Sequence, residues 1–187
     1  GSSFLIRGAT VGVGGVINGN ITLTGGGLSK ADPGTWTIGA PGKTYMAPII
    51  NVNQGILKLG ADNYLASSTV LNSGNTTSGG GTFDLNGFSQ TLAGLTTGNA
   101  SGAKAITSSS GNPVLTVNNS ADYAPNSTLT LQGSLSLIKQ GAGKLTLSGA
   151  NTYTGATTVN AGTLKLDFSA AGAPSTDIIS SSSGLVL

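Results

Sequence analysis

The chain has 187 residues, long enough for one domain with a real core, yet only 7% of them are charged and the net charge is +2. It holds 31 glycines and no glutamate, histidine or cysteine, which removes disulfides, thiolate metal sites and imidazole acid–base chemistry together. At 37% hydrophobic residues it is too apolar for the composition of a disordered chain. The basic residues Arg7, Lys30, Lys43, Lys58, Lys104, Lys139, Lys144 and Lys165 are scattered with no two adjacent. Phosphate backbones are held by clustered cations, so no nucleic-acid partner is expected, and the pI of 9.0 reflects only the scarcity of acids.

Taken in order, the chain shows period-two alternation of Leu, Ile or Val with Thr, Lys or Ser at 21–24, 35–38, 56–59, 82–85, 114–117, 129–131, 145–147 and 163–166. Alternation of that period predicts short strands, with the aliphatic residues facing in and Thr, Lys and Ser facing out. Asn/Gly corners punctuate them at Asn18-Gly19, Asn53-Gln-Gly55, Asn72-Ser-Gly74, Asn86-Gly87 and Asn160-Ala-Gly162. Both residue types tolerate positive φ, so the chain can bend there at small cost. Stretches 96–104, 108–113 and 170–176 break the pattern and are expected to be plain connecting loops. Helical periodicity is absent, and no apolar run reaches the ~18 residues of a membrane helix. Nor does the Gly1-Ser-Ser-Phe-Leu-Ile-Arg7 start have the form of a signal peptide. The lone aromatics Trp36, Phe83, Phe88, Tyr153 and Phe168 are expected to fill or cover the core.

The strand–corner pattern repeats internally. Lys30, Gly34, Trp36, Thr37 and Ile38 recur 109 positions later as Lys139, Gly143, Leu145, Thr146 and Leu147. Thr44-Tyr45 recurs as Thr152-Tyr153 at an offset of 108, and Val52-Asn53-Gln54-Gly55 as Val159-Asn160-Ala161-Gly162 at 107. An internal repeat of short strands with Gly-rich corners signals a stacked architecture, and a β-solenoid is favoured over a hairpin-built sandwich.

The later copy, residues 137–166, resembles the autotransporter-associated β-strand repeat, also called the passenger-associated transport repeat. The resemblance rests on Lys139, Gly141, Gly143, Leu145, Leu147, Asn151, Tyr153, Gly155, Val159, Asn160, Gly162, Leu164 and Leu166. Residues 28–59 are similar but carry Ala40-Pro41-Gly42-Lys43 where the family has Gly-x-Asn, and the intervening 81–92 also looks like a segment found between such repeats. The resemblance implies an all-β, right-handed parallel β-helix, a single segment over 1–187 belonging to a longer repeat protein. With turns of roughly 20–25 residues it would make about eight rungs and a rod on the order of 40 Å long. The family role it implies is a passenger stalk or adhesive segment, extracellular or on the bacterial outer-membrane surface, joined to a membrane only through a domain outside this chain. Partners in keeping with that role are flanking rungs, surface glycans, or a second copy stacked end to end. The last of these is expected because neither Gly1–Ile6 nor Gly184–Leu187 carries a charged or proline-rich cap.

Parallel β-helices also host carbohydrases, which need two carboxyl groups within about 10 Å. Asp62 and Asp84 lie one expected rung apart and form the candidate pair, although both sit in turn-like contexts. The calcium nonapeptide is missing, and the Thr-x-Thr triplets at 22–24, 35–37 and 128–130 are irregularly spaced for an ice-binding array. No enzyme, cofactor or metal site is therefore expected. Far-ultraviolet circular dichroism should show a β spectrum, and substantial helix would overturn the fold expectation.

Overall fold

In the computed structural model, residues 3–6, 14–74, 79–99 and 101–187 are described. Gly1, Ser2 and Arg7 of the opening segment and Ala100 of the 96–104 loop lie outside them. The described residues form eighteen strands, all but two of them short, and no helix, and every strand pairing is parallel. Parallel neighbours cannot be joined by a two-residue turn, so the Asn/Gly corners bend the chain round the core. The result is a β-solenoid of about 7 turns.

Each turn contributes to three walls. Phe4–Ile6 and Gly15–Ile17 pair with the two halves of Gly27–Ile38, which pair in turn with the two halves of Ile49–Leu59. These two long strands bend round a corner, with register shifts at Lys30/Ala31 and Ala31/Thr35, and so merge two walls into one nine-stranded sheet. The first half continues through Val70–Ser73 to Gly94–Thr97, and the second through Gly81–Asp84 and Lys104–Thr107 to Leu129–Leu131.

The third wall stacks Gln90–Leu92, Val114–Asn118, Ser136–Gln140, Thr157–Val159 and Leu185–Val186. Gln90 links this sheet to the older pair Ile21–Thr22 and Tyr45–Met46. Its buried amide accepts from Leu65 N–H (3.1 Å) and donates to Leu65 C=O (2.9 Å), while Leu65 itself bridges to Tyr45. One amide side chain thus stands in for a ladder step. Successive turns take 19 residues where Leu145 pairs with Leu164, and 28 where Thr157 pairs with Leu185 across the 170–176 loop.

Alternation places Leu28, Ile38, Ile50, Leu57, Leu59, Leu71, Phe83, Leu115, Leu137 and Leu145 in one continuous core. Of the aromatics singled out from sequence, Phe83 and Tyr153 are fully buried, Trp36 and Phe88 cover the core, and Phe168 is 49% exposed. Tyr45 and Tyr64 are core residues too, with ring centroids 6.5 Å apart, and their hydroxyls reach Ile49 C=O and Gly19 C=O. The expectation that lysines of the alternating segments face out holds for Lys58 and Lys165, whereas Lys30, Lys104 and Lys139, which lie outside those segments, are buried. Lys104, expected in a loop, opens the strand Lys104–Thr107.

The two motif copies do not lie one above the other. Lys30 belongs to the ladder Ile6–Lys30–Val52–Ser73 in the nine-stranded sheet, and Lys139 to the ladder Leu92–Val117–Lys139–Val159 in the five-stranded one. Turns between them lengthen to 24 residues at Leu71/Leu95 and 25 at Ile106/Leu131, so the offset of 109 residues is no whole number of turns.

Corner glycines fix the closeness of this stack. Gly162 has φ +70°, and a Cβ there would sit 2.3 Å from Gly141 O and 2.5 Å from Gly143 O. Gly42 has a similar φ of +72° but open space around it. Gly162→Ala should therefore cost at least about 2 kcal/mol and Gly42→Ala only about 1 kcal/mol, read from urea midpoints.

Candidate functional site

The motif residues gather at corners, and their roles follow from what surrounds them. Lys139 ends an inward row, and its ammonium donates to Gln140 C=O (2.6 Å), Gly141 C=O (2.8 Å) and Ala161 C=O (3.2 Å). Gly141, with φ +75°, lets that turn pass over Asn119, whose carbonyl would lie 2.3 Å from an added Cβ. Gly143 donates to the same carbonyl. Leu145 and Leu147 then enter the core. Asn151 accepts from Leu131 N–H and donates to Gly149 C=O and Ile178 C=O, which extends the ladder where strand ends.

Tyr153 is fully buried and meets Thr157 Oγ1 at 2.5 Å. Thr157 meets Ser183, and the Ser183 hydroxyl reaches Gly155 C=O. Gly155 is required because a Cβ would lie 2.4 Å from Leu135 O. Val159 is half-buried, and Asn160, exposed, donates its backbone N–H to Lys139 C=O. Leu164 packs on the core, while Leu166 is 36% exposed.

The earlier copy rebuilds this corner from different residues. Lys30 donates to Asp32 C=O, to Asp32 Oδ1 (2.9 Å) and to Gln54 C=O (3.0 Å). A Cβ on Gly55 would meet Asp32 O, Gly34 O and Lys30 Nζ, matching what one on Gly162 would meet: Gly141 O, Gly143 O and Lys139 Nζ. The sequence alignment of 30–55 with 139–162 is thus an alignment of atoms.

The candidate acids have other work. Asp84 is buried, accepts from Asn86 N–H (2.8 Å) and Ser109 N–H (2.9 Å), and lies 3.3 Å from Lys58 Nζ. Asp62 is exposed and accepts from Ser89 N–H (2.6 Å). Both cap turns. Lys58 also donates to Ser109 Oγ (3.1 Å). Among the described residues no three acidic side chains gather as a cation site. A shallow depression of about 350 Å³ beside Leu23, Met46 and Pro48 has no titratable side chain in its lining.

A stack of parallel turns held by recurring corner residues defines a solenoid repeat protein. Residues 137–166 match the family model described as passenger-associated-transport-repeat, and this repeat and fold fit an autotransporter passenger-type protein. No curated protein and no solved structure matches the chain.

Burial gives the core a characteristic pH response. Desolvation lowers the Lys104 and Lys139 amines below the usual lysine value. Between those lowered values and about pH 10.4 the unfolded chain binds more protons than the folded one, so stability rises with pH. Burial pushes the Tyr45 phenol up to about 12, partly offset by the Leu28 amide, and raises Tyr64 and Tyr153. Above about pH 10 the unfolded chain loses phenolic protons first and stability falls. Urea midpoints measured from pH 7 to 11 should therefore pass through a maximum at about pH 9–10.

Proposed function

We propose that this chain is a stalk or adhesive rod segment of a secreted or surface-displayed bacterial repeat protein. The observation that carries this is the continuous core of the described residues, with their buried polar side chains spent on corners and ladders instead of converging on a cleft. One outward row supplies a neutral surface, and a second is closed on itself. Ser29, Asn51, Asn72 and Thr96 stand in register, but Asn51 and Asn72 are buried and bonded along the row, Asn51 donating to Ser29 (3.2 Å) and Asn72 to Asn51 (3.0 Å). Thr91, Thr116, Ile138 and Thr158 form the outward row, each half-buried. Threonine hydroxyls in a row with the ~4.8 Å strand spacing suit contact with sugar hydroxyls.

The adhesive role is tested on a glycan array with the immobilised segment. Binding that Thr91→Ala or Thr116→Ala weakens several-fold supports adhesion, and no binding leaves the stalk. The carbohydrase alternative predicts polysaccharide cleavage that disappears in the Asp62→Asn, Asp84→Asn variant. We expect no cleavage by either protein, and activity lost on substitution would overturn the structural reading.

Self-association is part of the same proposal. Phe4 and Leu5 at one extremity and Leu185, Val186 and Leu187 at the other are 47–92% exposed. Among the described residues Phe4–Ile6 pairs only with Gly27–Ile38, and Leu185–Val186 only with Thr157–Val159. The isolated segment should associate with increasing concentration, and Leu185→Pro should weaken that association. A monomer at all concentrations in light scattering would refute it.

A further inference from the structure

Five side-chain nitrogens at the corners are exposed by 3% or less as residues: Lys30, Lys104, Asn119, Lys139 and Asn151. They share one geometry. Each bonds a carbonyl two residues away in its own turn and a second oxygen in the turn that follows. Lys30 joins Asp32 C=O to Gln54 C=O. Lys104 joins Gly102 C=O (3.0 Å) to Thr128 Oγ1 (2.8 Å). Asn119 joins Ala121 C=O (2.6 Å) to Lys144 C=O (3.1 Å). Lys139 joins Gly141 C=O to Ala161 C=O. Asn151 joins Gly149 C=O (3.0 Å) to Ile178 C=O (2.7 Å).

In every case the second acceptor lies 22–27 residues towards the C-terminus, one turn on. The pattern does not depend on the wall, since Lys30 and Lys139 lie in different sheets. Nor does it depend on charge, because Asn119 and Asn151 do with a neutral amide what the lysines do with an ammonium. A nitrogen donor buried without acceptors is strongly unfavourable, most of all when charged. The corner of each such turn is therefore complete only when its successor is in place.

We infer that these five residues are forward clamps, a conformational device that makes the order of one turn conditional on the next. The motif lysine is a member of this set, and its purpose is to tie two turns together instead of to meet a ligand. Glycine in the receiving turn is part of the clamp: a Cβ on Gly55 or Gly162 would lie 2.7 or 2.9 Å from the Lys30 or Lys139 ammonium nitrogen.

Two experiments test this on the whole chain. First, the native protein is treated with an amine-acylating ester and mapped by mass spectrometry. Lys144 and Lys165, with side chains 44% and 51% exposed, should react readily. Lys30, Lys104 and Lys139 should react at least about a hundredfold more slowly, because each must first open its corner. Reaction of Lys139 within a few-fold of Lys144 would overturn the proposal. Second, Lys139→Met removes the donor at similar volume, Lys139→Gln keeps a nitrogen donor, and Lys144→Met controls for charge. Hydrogen exchange at 160–163, in the following turn, should quicken about tenfold or more in Lys139→Met, less in Lys139→Gln and not in Lys144→Met. Equal behaviour of the Met and Gln variants, whether both protected or both unfolded, would refute a donor role.

Discussion

Turn-on-turn contact at the corners is the constraint on which the rest of the structure depends. Along a wall, parallel strands satisfy each other's backbone groups as a matter of course. At a corner the backbone turns away from its ladder while still lying about one strand spacing from the turn beneath it. Two needs arise together: no side chain may intrude, and carbonyls that point inward must find donors away from water. Glycine meets the first at Gly55, Gly141 and Gly162, where an added Cβ would touch backbone at 2.3–2.4 Å. Buried Lys and Asn nitrogens meet the second. The leucine rows supply much of the apolar burial, but they fit only because the corners let the turns approach.

Much of this was legible in sequence because strand alternation and corner chemistry are local. Leucines 145 and 147 and glycines 55 and 162 lie where alternation and turn propensity put them. What escaped was non-local. Lys30 and Lys139 were legible as repeat positions and not as buried groups, because part of what holds each inside, the carbonyl of Gln54 or Ala161, lies a full turn away. Asp84 was legible as a turn residue, but its pairing with Lys58 and Ser109 joins three different turns. Asn119 carried no repeat signal, since its resemblance to Lys139 is one of geometry and not of residue type.

The same limits bear on activity. Asp62 and Asp84 were singled out because stacking brings residues about a turn apart near one another. Both carboxylates are taken up by backbone amides, and Asp84 by an ammonium as well. Stacked acids in a solenoid are common by construction, so proximity is weak evidence for chemistry until their hydrogen bonds are counted. Here the polar groups serve the backbone.

The placement of the motif copies on different walls has a consequence for how such a chain can change length. If the corner at Lys30 works equally well where Lys139 stands, the interchangeable module is one wall with its corner, and not one complete turn. A gene duplication or deletion could then add or remove a single wall's worth of codons. Everything downstream would rotate by about a third of a turn, yet each side chain would meet equivalent surroundings. Such a rod tolerates indels that are out of phase with its own pitch, and its surface rows can be re-aimed around the axis without redesigning the core.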